Sequence, residues 1–271
     1  MPLLSVSQTK HRSLYHYQPY TEDWRGYLEA TLRDRTIYLP SPSYFNDPWD
    51  CRPWFDLAVL DDAVMRERHI EWYMRVAIKP VTEHADELRQ NRPLLNHFVE
   101  ETSRRLWARI DHEYRLYCLT PNCDDLLMWS HYANKHKGVC LQFDARTDPI
   151  SAAFKVSYQD QLPCSIIPEH GEDDAEKALL TKSDAWDYEE EFRLIARDSR
   201  VPPLPNTLIA TDGILPIGDR SLVGIIVGCQ CNGADEIIDM VRRHQPSITV
   251  RQAKRQAHRY GLVFETLPTG V

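Results

Sequence analysis

The chain has 271 residues, 42% hydrophobic and 27% charged, with a formal net charge of -8. That balance is ordinary for a globular protein and excludes a wholly basic nucleic-acid binder. No run approaches the ~20 apolar residues of a membrane span, and the first residues lack the basic start of a secretory signal. Seven cysteines at irregular spacings argue against a disulfide framework and for a reducing cytoplasm.

In chain order, Leu14 to Tyr17 alternates and is rich in aromatics, as a short strand would be. Glu22 to Arg33 reads as a helix with Trp24, Leu28 and Leu32 on one face. Ile37 to Leu39 is a second strand. It runs into Pro40 to Asp50, where three prolines and Asn46-Asp47-Pro48 demand turns. Residues 61–113 change to helical periodicity. Asp61 and Asp62 cap a first helix that Pro80 stops, a short polar helix follows, and Pro93 opens a longer one through Ile110.

Strands return at Arg115 to Leu119, Gly138 to Phe143 and Lys155 to Tyr158, with a short helix over Asp124 to Asn134. An acidic helix is expected from Glu172 to Ser183. Leu222 to Gly228 reads as a buried strand, followed by a helix ending at His244 and strands at Ile248 to Arg251 and Gly261 to Glu265. With no repeats and no low-complexity linker, the pattern predicts one α+β domain over residues 1–271. Its sheet is mixed or largely antiparallel, and residues 61–113 form a helical insertion.

The densest stretch is Trp186 to Leu194. Read with period 2 it is a strand with Glu189, Glu191 and Arg193 on one face and Phe192 and Leu194 turned into a core. Neighbouring carboxylates raise each other's pKa unless a cation intervenes, and Arg193 is such a cation. The stretch is then either a solvated, self-neutralised strand face or a carboxylate site in a cleft, which the flanking Trp186 and Tyr188 favour. In the second case Glu191 takes the chemical role, and Glu189 supports it by pairing with Arg193. Glu191→Gln is expected to abolish turnover with little loss of stability.

Met128 to Val139 is equally dense. It is a core helix with His136 and Lys137 in its last turn, or a binding wall with Trp129 and Tyr132 for stacking and His131 for a hydrogen bond. The Asn46 to Asp50 loop, the Trp129 to Tyr132 helix and the Glu189/Glu191 strand are expected to line one pocket. Cys229-Gln230-Cys231 has no second pair to complete a zinc site, so no metal is assigned. Asp47, Asp50, Glu189 and Glu191 would suit magnesium or manganese in a nuclease or phosphoesterase. No nucleophile elbow, dinucleotide loop or P-loop is present.

Charge is unevenly placed. Ten acids fall within residues 169–191 against Lys177 and Lys182. Between Asp239 and Glu265 there is no acid, while six Arg and Lys side chains from Arg242 to Arg259 fall there. That tail either tracks nucleic-acid phosphates or is a solvated face.

Four blocks, Tyr15-His16-Tyr17, Ser41 to Asp50, Met128 to Ala133 with Lys137-Gly138-Val139, and Trp186 to Arg193, resemble the bacterial domain-of-unknown-function family 2971 in order along nearly the whole chain. The plan of a Tyr-His-Tyr strand, a helix leading to a tyrosine-bearing strand and a late Glu-x-Glu strand is also similar to ADP-ribosyltransferases of the DarT type. That resemblance implies an ADP-ribosyltransferase-like fold and an enzyme that cleaves NAD and modifies nucleic acid or protein, as a toxin or phage-defence effector does. It implies Glu191 or Glu189 at the ribose, His16 on the rest of NAD and Tyr44 stacked on nicotinamide. Asn46, Asp47, Trp129, His131 and Tyr132 complete the cofactor-binding set. The other readings are the metal-dependent nuclease and a non-catalytic ligand- or partner-binding module.

Overall fold

The computed structural model of the chain describes residues 3–76, 82–162, 164–165, 172–204 and 207–268. Pro80, the expected helix stop, lies outside them. The elements begin with β1 (Ser13–Gln18), α1 (Glu22–Arg33), β2 (Thr36–Tyr38) and β3 (Trp54–Phe55). Then come α2 (Ala63–Val76), α3 (Thr82–Gln90), α4 (Arg92–Glu113), β4 (Tyr114–Leu119), α5 (Leu126–His131) and β5 (Val139–Asp144). The middle holds β6 (Phe154–Lys155), β7 (Ser157–Gln159), β8 (Cys164–Ser165), α6 (Glu172–Leu179), β9 (Thr181–Ser183) and β10 (Phe192–Asp198). The chain closes with β11 (Leu208–Ala210), β12 (Ile214–Pro216), β13 (Leu222–Val227), α7 (Ala234–His244), β14 (Thr249–Arg255) and β15 (Leu262–Thr266). The class is α+β with mixed sheets.

The chain divides into two compact units. The first is Met1–Pro40, Arg115–Val156 and Asp187–Val271, and the second is Ser41–Tyr114 and Ser157–Trp186. The first unit holds a five-stranded sheet in the order β1-β5-β13-β14-β15. All its pairings are antiparallel except β13 with β14, which α7 joins as a crossover helix.

Strand β13 is buried on both faces, so its sequence is a continuous apolar run instead of an alternating one. One face carries Leu14, Phe143, Ile225 and Val250 into a core shared with Leu28 and Leu32 of α1, Ile237 and Val241 of α7, and Phe192 and Leu194 of β10. The other face carries Tyr17, Cys140, Ile226 and Ala253 against Trp129 of α5. Helix α1 has Glu22 and Asp23 in its first turn and Arg33 in its last, the charge order its dipole favours. A second sheet of this unit runs β11-β10-β4, with β6 paired to β10.

The second unit takes all the helices of the 61–113 segment. The Asn91 side chain caps α4, with Pro93 in its first turn. Short pairings of β3 with β8 and β7 with β9 complete it. Among the described residues no helix is long and apolar enough to cross a membrane.

The largest departure from the sequence pattern lies at the Trp186 to Leu194 stretch. It is not one strand. Asp184–Glu189 forms a 3-10 helix, Glu190 is left-handed with φ of 47°, and β10 begins only at Phe192. Ser183 and Asp184 supply turn chemistry, and Asp187 O accepts from Glu190 N at 3.1 Å, which closes the turn. The alternation therefore applies from Phe192 onward and does not place Glu189 on the strand. A solvated face is also ruled out, because Glu189, Glu191 and Arg193 are 2%, 3% and 0% exposed.

Strand expectations around 155–158 needed one correction too. Val156 interrupts the run, pairing its N–H with Glu191 O, so β6 and β7 are separate. Helix α5 is shorter than expected and stops at His131. Residues Asn134, Lys135 and His136 follow in left-handed conformation, with φ of 46°, 58° and 65°. His136 and Lys137 are therefore not in a helical last turn.

Candidate functional site

In the first unit a buried carboxylate meets an aromatic wall. Asp125 caps α5 by accepting from Met128 N at 2.8 Å, which fixes the helix so that Tyr132 follows its last turn. The Tyr132 hydroxyl donates to Glu189 Oε1 at 2.6 Å, a short charge-assisted bond. Tyr132 and Tyr188 both pack on the cluster formed by Tyr17, Trp129 and Cys140, with Tyr15 at its margin. One residue on, Asn122 Nδ2 donates to Glu190 Oε2 at 2.9 Å, and its own carbonyl accepts from Tyr17 OH at 2.9 Å. A tyrosine-lined carboxylate of this kind can accept from a sugar hydroxyl and stabilise positive charge forming beside it.

Glu191 is held differently. Arg193 Nε and Nη2 donate to its two oxygens at 2.8 and 3.0 Å, a bidentate pair with both partners buried. Arg193 thus pairs with Glu191, the glutamate not expected to hold it, and Glu189 is joined to Tyr132 beside the aromatic helix.

Three expected ligand contacts are also placed otherwise. Trp129 is wholly buried, edge-on to Tyr17 at 5.2 Å, with Nε1 donating to Cys123 O at 2.9 Å. Its indole is a core group with its polar edge satisfied, not a stacking surface. His131 is exposed at the end of α5, its ring 6.2 Å from that of Tyr132. His16 leaves the sheet on the face opposite Tyr17, because successive strand residues alternate. It stacks on Tyr117 at 4.0 Å, and its Nδ1 donates to Cys118 O at 2.8 Å.

That placement makes His16 a proton-linked stability group. Burial pulls its pKa from 6.5 down to about 4, with the Cys118 hydrogen bond opposing the shift. The unfolded chain takes up a proton near pH 6.5, whereas the folded chain holds the ring neutral until near pH 4. Stability therefore falls as pH drops through that window. The full shift discounted for residual exposure gives roughly 2 kcal/mol. In urea titrations, the stability gap between wild type and His16→Asn should narrow by that amount from pH 7 to about pH 4.5. Parallel curves would remove the assignment.

The second unit gathers the other sequence-predicted residues. Asp47 accepts from Trp49 N and from Trp186 Nε1, both at 2.9 Å. Lys182 Nζ lies 3.8 Å from Asp50 Oδ2 and 5.1 Å from the centre of the Trp186 ring, with Lys182 and Asp50 both buried. These groups and Asn46 line or adjoin a cavity of about 520 Å³ that also takes in Trp49 and Gln159. Tyr44 ends a short 3-10 turn and is 78% exposed.

Residues 128–194 match the family model described as "Protein of unknown function (DUF2971)". The similarity to the DUF2971 family lies in these residues. No curated protein and no solved structure matches the chain. The DUF2971 segment carries Tyr132, Glu189, Glu191 and Arg193, while Tyr15 to Tyr17 and Ser41 to Asp50 lie before it.

Two residues of these sites were not singled out from sequence. Lys182 had a signal, as one of two cations amid ten acids, and burial against Asp50 is where such a cation is used. Asn122 looked like part of a turn after β4, and nothing local marked its bond to Glu190. Among the described residues no group of three or more His, Cys, Asp or Glu is gathered to hold a metal ion.

Proposed function

We propose that this is a cytoplasmic ADP-ribosyltransferase-like enzyme that cleaves NAD and passes ADP-ribose to nucleic acid or protein, with Glu189 as its working carboxylate. The 2.6 Å bond from Tyr132 to buried Glu189, inside the DUF2971 segment, carries this reading. In the reaction the bond between nicotinamide nitrogen and ribose C1′ breaks, and nicotinamide leaves with the electron pair. An acceptor oxygen or nitrogen then bonds to C1′ and gives up its proton. The ribosyl group passes through an oxocarbenium-like state, as in glycoside cleavage. Glu189 accepts from a ribose hydroxyl and stabilises that cation. Tyr132 holds the carboxylate in place, and Tyr188 adds aromatic surface beside it.

Incubation with NAD labelled in its adenylate half tests the reading. Free nicotinamide and labelled product should appear together, and chelator should leave the rate unchanged. Nucleic-acid cleavage that chelator abolishes, with no nicotinamide released, would replace this reading by the metal-dependent phosphoesterase.

A further inference from the structure

The basic tail is not one continuous face. Arg242 pairs with Asp239 at the end of α7, Arg251 donates to Gln142, and Lys254 pairs with Glu265. Arg255 and Arg259 make no ion pair among the described residues. Both sit where the β14–β15 hairpin turns, a turn closed by Gln256 N donating to Gly261 O at 3.0 Å. There they line a cavity of about 780 Å³ with His136, Gln230, His258 and Tyr260, and its lining includes no Asp or Glu. Tyr260 is 99% exposed, a whole aromatic ring presented to solvent at the rim.

The segment that brings His136 into the lining is strained. Three consecutive left-handed residues, Asn134 to His136, cost about 1–2 kcal/mol each, and such strain clusters at binding sites. The strained turn is pinned by Gln230 N donating to His136 O at 3.0 Å. His136 is part of the cavity lining, with its ring stacked on Trp129 at 6.2 Å and its buried Nδ1 without a hydrogen-bond partner. The volume is that of a small-ligand site.

We propose that this cavity binds a nucleotide. Its base stacks on Tyr260, its phosphate lies between Arg255 and Arg259, and its base edge reaches His136 and Gln230. Cations without acidic neighbours select the phosphate, and the free ring supplies the sequence-tolerant stacking that nucleotide sites use. The site goes beyond the transferase reading and does not depend on Glu189. Where Glu189 turns over NAD, a strand held here is a candidate acceptor.

The test is fluorescence anisotropy of labelled single strands of about 12 nucleotides, RNA and DNA, with no NAD present. Tyr260→Ala, fully exposed and so neutral to folding, should weaken binding about tenfold. Arg255→Ala and Arg259→Ala should each lower the salt slope by about one. Arg243→Ala, on α7, should leave binding unchanged. Displacement of the probe by AMP at low concentration identifies free nucleotide as the source, and no displacement identifies the single strand. The proposal fails if neither strand nor nucleotide binds, or if Arg243→Ala weakens binding as much as Tyr260→Ala.

Discussion

Glu191→Gln should lower the unfolding free energy by about 3 kcal/mol. The carboxylate and its Arg193 partner are both inside the protein, joined by two bonds of 2.8 and 3.0 Å. Glutamine keeps the shape and one acceptor but leaves the guanidinium charge unbalanced in a low-dielectric site. Removing one member of such a pair typically costs about 3–5 kcal/mol. The lower end applies because Arg193 has further interactions. Replacing both members by apolar groups of similar size should recover most of the loss, since the stranded charge and not the missing contact carries the penalty. Urea titrations of Glu191→Gln, Arg193→Met and the double variant Glu191→Leu with Arg193→Met measure it. A single-variant change below about 1 kcal/mol would show that Glu191 is not the structural member.

Gly138→Ala should cost about 3 kcal/mol by overpacking. A Cβ at Gly138 would lie 2.2 Å from Gln18 O and 3.0 Å from the Ala133 backbone. Those neighbours are main chain, so no side chain can swing aside. The same close approach recurs across the junction, where Gly228 N donates to Gly138 O at 2.9 Å and a Cβ on Gly228 would meet His136 O at 2.3 Å. Two glycines thus let three backbone segments touch and hold the left-handed turn against residues 228–230. Gly26→Ala is the control. It sits in α1 with nothing within 4 Å of the added carbon. It should stabilise by about 0.5–1 kcal/mol through helix propensity. Thermal melts of the two variants should move in opposite directions, and a neutral Gly138→Ala would refute the contact.

Much of the fold was legible because its elements are periodic and long. Helix α1 matches its expected bounds, β13 reads as a buried run, and α7 ends at His244 as expected. The short strands β3, β8, β11 and β12 were not legible. Two or three residues carry no period, and their pairing depends on partners distant in sequence. At the site, sequence singled out Glu189, Glu191, Arg193 and Tyr132 but put both glutamates on one strand and did not place Arg193 on Glu191. Phe192 and Leu194 set a true strand register that was extended back through Glu190, where a left-handed turn breaks it. Which glutamate Arg193 would pair with depends on that break. Trp129 misled for a related reason: an indole among polar neighbours has the same composition whether it walls a cleft or fills a core.

Nicotinamide release from NAD by wild type, Glu189→Gln and Tyr132→Phe tests the central claim most directly, with an unfolding midpoint recorded for each. Glu189→Gln keeps the acceptor for Tyr132 but removes the charge, so release should fall about 10²–10³-fold while the variant stays folded. Tyr132→Phe should fall less. Release by Glu189→Gln at the wild-type rate, or none from the wild type, would contradict the account.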